Sequence, residues 1–499
     1  MKRVLFLFIL VTACSTNKNL KKENVSTKLA TPNIVYILAD DMGYGDLSAL
    51  NSNSGIKTPH MDKIVKQGVH FTDAHTNSSV CTPTRYGIIT GRYAWRSSLK
   101  KGVLHGYDKP LIEDDRPTVA SYLKSNGYNT ACIGKWHLGT GLQPKDGEKS
   151  IIENKGKSNV DYTKNIKDPS SLGFDYSYII PASLDMPPYV YIENGKAKEL
   201  PTAYTNGKDA NKAGRGIFWR PGEKSPSFII ENTLDNFTRK TEDYIAHQKG
   251  VNDPFFIYFA LTAPHTPWLP TGEAIGKSKA GRYGDFVTMV DDAVGAVVEA
   301  LKKANKLENT LIIVTSDNGS HWKSQDKKKY AHRANYIYKG QKADIYEGGH
   351  RVPYIAQWPG VIPAGLESNQ LMCTTDLFAT LSGVLDKPKV ENGAEDSYNL
   401  WSAYTSNPKS EIREAVVHHS FNGTFSIRKG KWKYTPSLGS GGFSKPKSIQ
   451  PKKGEVKGTL YDMSKDPEEK NNVYKDYPEI VKDLDVLLEK YKEQVYSNK

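Results

Sequence analysis

Apolar residues in this chain fall into compact blocks, and several blocks end abruptly in charged or hydrogen-bonding residues. In "NIVYILADDMGYGD" a buried-strand run gives way to Asp40, Asp41 and glycines. The shape recurs in "YNTACIG", which ends at Lys135 and His137, in "PFFIYFAL", which ends at "TAPHTP", and in "NTLIIVT", which ends at "SDNG". Between the last two, Phe286, Met289, Val290, Ala293, Val294, Val297 and Leu301 recur at helical spacing, and the spacing predicts an amphipathic helix packed on a core. "RPTVASYLKSNG" is a second helical segment. Strands alternating with helices predict an α/β domain built on a largely parallel sheet, in which ligands bind beyond the carboxyl ends of the strands. The polar stretch from about 142 to 170 reads as a surface excursion. Near residue 411 the texture changes: "AVVHHS", "GTFSIRKGKWKYT" and "GTLYDM" are short alternating strands, and "YPEIVKDLDVLLEKYKEQVY" is an amphipathic terminal helix. These predict a smaller α+β subdomain, an antiparallel sheet with one helix. The boundaries are 32–410 for the main domain and 411–499 for the appendage.

The N-terminus adds a different pattern. "MKRVLFLFILVTAC" has a basic start, a short apolar run and small residues before Cys14. It resembles a bacterial lipoprotein signal over residues 1–13, with Cys14 the lipidated first mature residue and 14–31 a polar tether. The apolar run is too short to span a bilayer. The expectation is an exported protein of the bacterial cell envelope, held to the membrane through its N-terminal lipid only.

Composition then narrows the partners. The 499 residues carry 68 Lys and Arg against 55 Asp and Glu, a formal charge of +13, in an otherwise ordinary globular composition of 38% hydrophobic residues. A basic surface favours acidic partners. For an exported protein nucleic acid is set aside, and extracellular polyanions such as polyanionic glycans take its place. Of four cysteines, Cys14 is assigned to lipid, so Cys81, Cys132 and Cys373 cannot form a complete disulfide framework.

Candidate chemistry gathers at the strand ends. Adjacent carboxylates such as Asp40 and Asp41 repel unless something compensates, and a metal ion does so. With Asp317 and Asn318 they make an oxygen donor set suited to a hard cation, calcium or, as the alternative, magnesium. Around it stand Arg85, Lys135, His137, His265 and Lys342, types that neutralise oxyanions and move protons. Cys81 opens "CTPTRYGIITG", where Thr82 is expected as N-cap, Pro83 in the first turn and Gly91 just past the end. A helix N-terminus favours an anion or a thiolate, which leaves a cysteine hydrolase open at this point.

The stretch "CTPTRYGIITG" resembles the signature of the type I sulfatases, and "LADDMGYGD", "GKWHLG", "APHTP", "TSDNG" and "GQKADIYEGGHRVP" match the same family in order. The resemblance implies an alkaline phosphatase-like fold and hydrolysis of sulfate esters. It implies that a formylglycine-installing enzyme oxidises Cys81 to Cα-formylglycine (3-oxoalanine), whose hydrate is the nucleophile. Asp40, Asp41, Asp317 and Asn318, with the converted Cys81, would hold calcium. Arg85 and Lys135 would hold the formylglycine hydroxyls, and His137 would take the proton that releases sulfate. His265 and Lys342 would bind sulfate and assist the leaving oxygen, and Asp317 would help activate the attacking hydroxyl. Thr84 in place of serine, and His350 in place of an aliphatic residue, depart from the family pattern, and His350 has two directions open to it, core or substrate. His105, Asp185, Trp268, His332, Arg333 and His419 are candidate contacts to the leaving group. The expected substrate is a sulfated polysaccharide or its oligosaccharides, either algal (ulvan, carrageenan, fucoidan) or an animal glycosaminoglycan. Two alternatives remain open: a formylglycine-using phosphonate or phosphodiester hydrolase, and a non-catalytic, metal-dependent glycan-binding lipoprotein.

Overall fold

The computed structural model describes Met1 and residues 31–498. The signal peptide, Cys14 and its tether lie outside the described residues apart from Met1 and Thr31. At the centre are five parallel strands in the spatial order Thr310–Ser316, Asn33–Ala39, Phe255–Ala260, Asn129–Lys135 and Tyr176–Ile180. Tyr354–Gln357, Val69–Phe71 and Leu366–Ser368 extend one edge, and Ile192–Glu193 and Lys196–Ala197 the other, giving ten strands in a mixed, mostly parallel sheet.

The uninterrupted apolar runs follow from burial on both faces. Successive side chains of the first strand alternate: Val35, Ile37 and Ala39 enter one core, Ile34, Tyr36 and Leu38 the other. The first core is roofed by Pro59–Gln67, Thr233–His247 and Gly281–Lys303. The last of these is the helix expected from its stripe, and all seven stripe residues are buried. The second core is covered by Cys81–Thr90, Val119–Ser125 and Leu377–Val384.

The C-terminal part is an antiparallel sheet of Val416–His419, Phe425–Lys429, Trp432–Thr435 and Thr459–Asp462, packed under the helix Pro478–Glu493. Its core also takes in Tyr93, Trp95, Leu371 and Cys373, so its packing runs on into the main sheet's surroundings, and Pro32 onward forms one compact unit. His350 faces this junction and not the substrate side: it is buried, its ring stacks on His418 at 3.8 Å, and its Nδ1 lies 3.1 Å from His75 Nδ1. The 142–170 excursion carries a short hairpin, Glu153–Asn154 with Lys157–Ser158. Its Gly156 carbonyl accepts from Glu223 N at 2.8 Å, which steadies the segment bearing Phe218 and Arg220.

Parallel register brings the chemical ends to one edge. Ala39 pairs with Ser316, Leu38 with Ala260, and Ala260 with Gly134. Gly134 stands next to Lys135 with φ of +117°, and a Cβ there would lie 1.8 Å from the Ala260 carbonyl oxygen. Gly134→Ala is therefore expected to cost about 3 kcal/mol or more, read as a lower denaturation midpoint. An unchanged midpoint would show that the strands can part there without penalty.

Candidate active site

Strand ends and the turns after them place the functional side chains, apart from Cys81 and Arg85, which a helix carries. Asp40 and Asp41 continue the first strand, and Asp41 turns back with φ of 69°, a left-handed conformation that non-glycine residues seldom hold. Its N–H donates to Asp317 Oδ1 at 3.1 Å, tying two strand ends together. His137 (φ 59°) and Ala343 (φ 77°), the residue after Lys342, are held in the same region. Unfavourable backbone of this kind persists where surrounding contacts over-determine it, and here it clusters around one site.

Cys81 is the first residue of a helix whose ten residues are all buried, with Val80 in the cap position. The helix thus starts two residues earlier than a Thr82 cap would give, and Thr82 Oγ1 accepts from Leu104 N at 3.1 Å instead of capping it. Gly91 closes the helix in a left-handed conformation, as expected. Arg85, one turn on, lies on the same face as Cys81.

Below Cys81 three carboxylates and three cations interlock. Asp40, Asp41 and Asp317 each offer an oxygen within 4.8 Å of the others, and all three are buried. Arg85 donates to Asp317 Oδ2 through Nε at 3.0 Å and Nη2 at 2.7 Å, and through Nη1 to the Lys135 carbonyl at 2.9 Å. Lys135 Nζ reaches Asp40 Oδ2 at 2.7 Å. Lys342 Nζ reaches Asp41 Oδ1 at 2.7 Å, and Asn318 Nδ2 donates to the same oxygen at 2.7 Å. Sulfur of Cys81 lies within 4.8 Å of ligand atoms of both Asp40 and His265.

This arrangement sets the protonation states. Burial and the neighbouring Asp40 charge push the Asp317 carboxyl up to about 6, against the pull of Arg85 and Lys135. Burial would also raise Asp41, but Lys342, His265 and Asn318 outweigh it and hold that carboxyl well below the usual range. Burial, with Lys135 and Arg85 nearby, keeps His137 neutral. Its Nε2 lies 2.8 Å from the Leu104 carbonyl, which can only accept, so the lone pair is on Nδ1, a buried atom with no hydrogen-bond partner. Burial and Lys342 bring His265 down to about 4, also neutral. Burial raises the Cys81 thiol in spite of Lys135 and Lys342, so the unconverted residue is a thiol and the cysteine-hydrolase alternative lacks its thiolate.

The donor set fits a hard divalent cation. Every ligand atom offered by Asp40, Asp41, Asp317 and Asn318 is oxygen, and Asp40 Oδ1 and Asn318 Oδ1 are buried without a hydrogen-bond partner. Two acceptors without hydrogen-bond partners beside a carboxylate raised by burial and by repulsion are what a cation would satisfy.

Above this cluster opens a pocket of about 400 Å³ that Cys81, Asp41, His137, His265 and Lys342 line from below. Of the candidate leaving-group contacts, His105 and Asp185 line it. The other four do not line it. Trp268 is buried against Tyr283 and carries the Arg215 guanidinium on its face at 4.3 Å. His332 is spent on Asp46 at 2.8 Å and on Gly55 N at 3.2 Å. Arg333 is exposed and donates to the carbonyls of Tyr330, Ala331 and His332. His419 is buried in the junction, where its carbonyl accepts from Ser79 N at 3.1 Å. Sequence reading missed Arg220, His321 and the apolar walls Phe218, Phe421 and Phe443. Arg220 pairs with Asp185, whose Oδ1 is left buried and unpartnered. His321 follows Asn318 by three residues, and that nearness to the "DNG" motif was the one signal available.

The mostly parallel sheet with a buried acidic cluster beneath a buried cysteine belongs to one family of enzymes: the Sulfatase family model matches residues 32–387, and the chain is a member of that family. The protein is a sulfuric ester hydrolase of that family, whose members use a formylglycine and a divalent metal. It is 34% identical over 523 aligned residues to an N-acetylgalactosamine-6-O-sulfatase of Bacteroides thetaiotaomicron, with 97% of each chain covered. Human arylsulfatase A is 28% identical, with 89% of this chain and 83% of that one covered. A solved structure of a sulfatase from a Bacteroides thetaiotaomicron locus for metabolism of multiple glycosaminoglycans superposes with TM-score 0.81 at 33% identity, covering 93% of this chain and 100% of that one.

The raised Asp317 carboxyl has a signed consequence. Its value in the fold, about 6, lies above the ordinary 3.8, so in metal-free protein this group favours the fold at low pH and costs stability as pH rises through that window. A divalent cation bound there would remove that cost. Added calcium is expected to raise Tm by several degrees more at about pH 8 than at about pH 5. An equal shift at both, or none, would contradict the metal assignment.

Proposed function

We propose that this sulfatase removes 6-O-sulfate from N-acetylgalactosamine units of glycosaminoglycan-type oligosaccharides, using calcium and a formylglycine made from Cys81, as an exported lipoprotein of the bacterial cell envelope. The observation that carries the catalytic reading is the interlocked Asp40, Asp41, Asp317, Arg85, Lys135 and Lys342 cluster directly beneath Cys81. The sugar specificity is supported by the relative that acts on N-acetylgalactosamine-6-O-sulfate and matches this chain over nearly its whole length. Export and lipidation at Cys14 rest on the N-terminal sequence pattern alone.

Asp40, Asp41, Asp317 and Asn318 would hold calcium, with position 81 completing the site. Once bound, calcium offsets the charge on sulfate oxygens and polarises sulfur. Formylglycine supplies, in its hydrated form, a hydroxyl nucleophile that needs no thiolate. The chain's own residues do the rest. Lys342 and neutral His265 face the pocket where the sulfate would sit: Lys342 neutralises its charge, and the Thr266 carbonyl holds the His265 proton on Nδ1, which leaves Nε2 as an acceptor for a substrate hydroxyl. His137 Nδ1 is a base already desolvated and free of other partners. Arg85 fixes the Asp317 carboxylate by two hydrogen bonds, which keeps it beside position 81. On the opposite wall Asp185 Oδ1 and Arg220 present an acceptor and a donor to sugar hydroxyls, and Phe218, Phe421 and Phe443 present apolar faces to the ring.

Desulfation of 6-O-sulfated N-acetylgalactosamine with sulfate release is the direct test, with an aryl sulfate as reference. Turnover of the aryl sulfate alone would overturn the sugar reading. His137→Ala is expected to lower kcat by about 10²–10⁴ with KM little changed. Arg220→Ala is expected to raise KM for the sugar about tenfold or more and leave the aryl sulfate almost unaffected. Equal effects of Arg220→Ala on both substrates would remove Arg220 from sugar recognition.

A further inference from the structure

A second depression, about 730 Å³, joins the catalytic pocket through two shared residues, His321 and Phe443. Its lining is basic: Lys323, Lys445 and Lys447 are exposed there, no acidic residue lines it, and none of the three lysines is ion-paired among the described residues. Phe443, 38% exposed, stands at the divide with its ring edge-on to His321 at 5.5 Å.

The two depressions are also joined through the backbone. Lys342 faces the catalytic pocket, and its neighbour Gln341 lines the groove. Two residues on, buried Asp344 accepts Gln341 N at 3.1 Å, Phe443 N at 2.8 Å and Ser444 N at 2.9 Å. One carboxylate therefore fixes both the turn that carries Lys342 and the segment that leads into Lys445 and Lys447. Gln341 itself is 8% exposed; its Nε2 donates to Ser444 Oγ at 3.2 Å, while its Oε1 is buried with no partner. A buried acceptor left unpaired in a groove wall is satisfied by a ligand donor such as a sugar hydroxyl or amide N–H.

Resting on the glycosaminoglycan reading above, we propose that this groove is a second carbohydrate subsite, which takes the anionic sugar next to the one being desulfated. Lys323, Lys445 and Lys447 meet its carboxylate or sulfate, Gln341 Oε1 accepts a hydrogen bond from it, and Phe443 packs against the linkage between the two sugars. The enzyme is then built for chains of alternating acidic units in preference to a lone sulfated monosaccharide.

The test compares wild type with Lys323→Ala/Lys445→Ala/Lys447→Ala, changes confined to exposed side chains. The probes are 6-O-sulfated N-acetylgalactosamine, a tetrasaccharide alternating that sugar with uronic acid, its carboxyl-reduced counterpart, and an aryl sulfate. The triple variant is expected to raise KM for the tetrasaccharide about tenfold, with kcat unchanged and the monosaccharide and aryl sulfate unaffected. Wild-type KM for the tetrasaccharide should rise with salt, and the variant's should do so less. Loss of the preference on carboxyl reduction assigns the lysines to a uronate; its retention assigns them to a neighbouring sulfate. Unchanged KM and salt dependence in the variant would overturn the subsite. Calorimetric binding of the tetrasaccharide separates the two readings. Lysine-dependent binding without desulfation would overturn the substrate assignment and keep the groove, whereas desulfation with lysine-independent binding would do the reverse.

Discussion

Three carboxylates buried within 4.8 Å of one another are the constraint to which the rest of this structure answers. Asp40, Asp41 and Asp317 would repel strongly in a medium that screens poorly. The chain meets them with three buried cations, each from a different element: Arg85 from a helix, Lys135 from a strand, Lys342 from a turn. A buried ion pair is expensive to leave half made, because removal of one partner strands the other in low dielectric. The six side chains therefore hold one another, and through one another the elements that carry them. Asp40 and Asn318 each keep an oxygen with no hydrogen-bond partner, and these are the atoms that would meet a divalent metal.

The fold supplies these charges economically. In a parallel sheet the strands end in register at one edge, so adjacent strands place Asp40, Asp317, Lys135 and the His265 turn together without long-range coincidence. The helix that begins at Cys81 is buried over its whole length, which fixes position 81 above the cluster and keeps water from the underside. The C-terminal sheet closes the other flank: its His419 carbonyl holds the Ser79 segment just before Cys81, and the turns beyond it bring Phe421 and Phe443 into the pocket wall. The small antiparallel sheet is thus a wall of the active site as well as an appendage.

What could be read from sequence was what periodicity and local motifs encode. The apolar runs gave four of the five central parallel strands but not Tyr176–Ile180, the 3.6-residue stripe gave the Gly281–Lys303 helix, and the polar residues just past each run gave much of the charged cluster. Contacts set by distant partners could not be read this way. His332 looks like a free histidine until Asp46, 286 residues away, occupies its Nε2. Trp268 looks like a leaving-group contact until Tyr283 packs against it and Arg215 takes its face. Conversely Arg220 sits in an irregular segment with no pattern of its own, and only the hairpin near Gly156 and the Asp185 carboxylate show where it goes. The Thr82 cap failed for a similar reason: a tertiary hydrogen bond from Leu104 took the hydroxyl that a local rule had assigned to the helix.

The surroundings of position 81 do not suit a thiolate: burial holds the Cys81 thiol protonated, while a neutral histidine, a buried lysine and an oxygen donor set that fits a hard cation converge on it. The measurement that tests this most directly is the mass spectrum of the peptide containing residue 81, taken on protein of measured sulfatase activity, with and without a carbonyl-reactive reagent. The account predicts an aldehyde at residue 81, trapped by the reagent, in a fraction that scales with specific activity. Fully active protein carrying an intact cysteine at that position would contradict it.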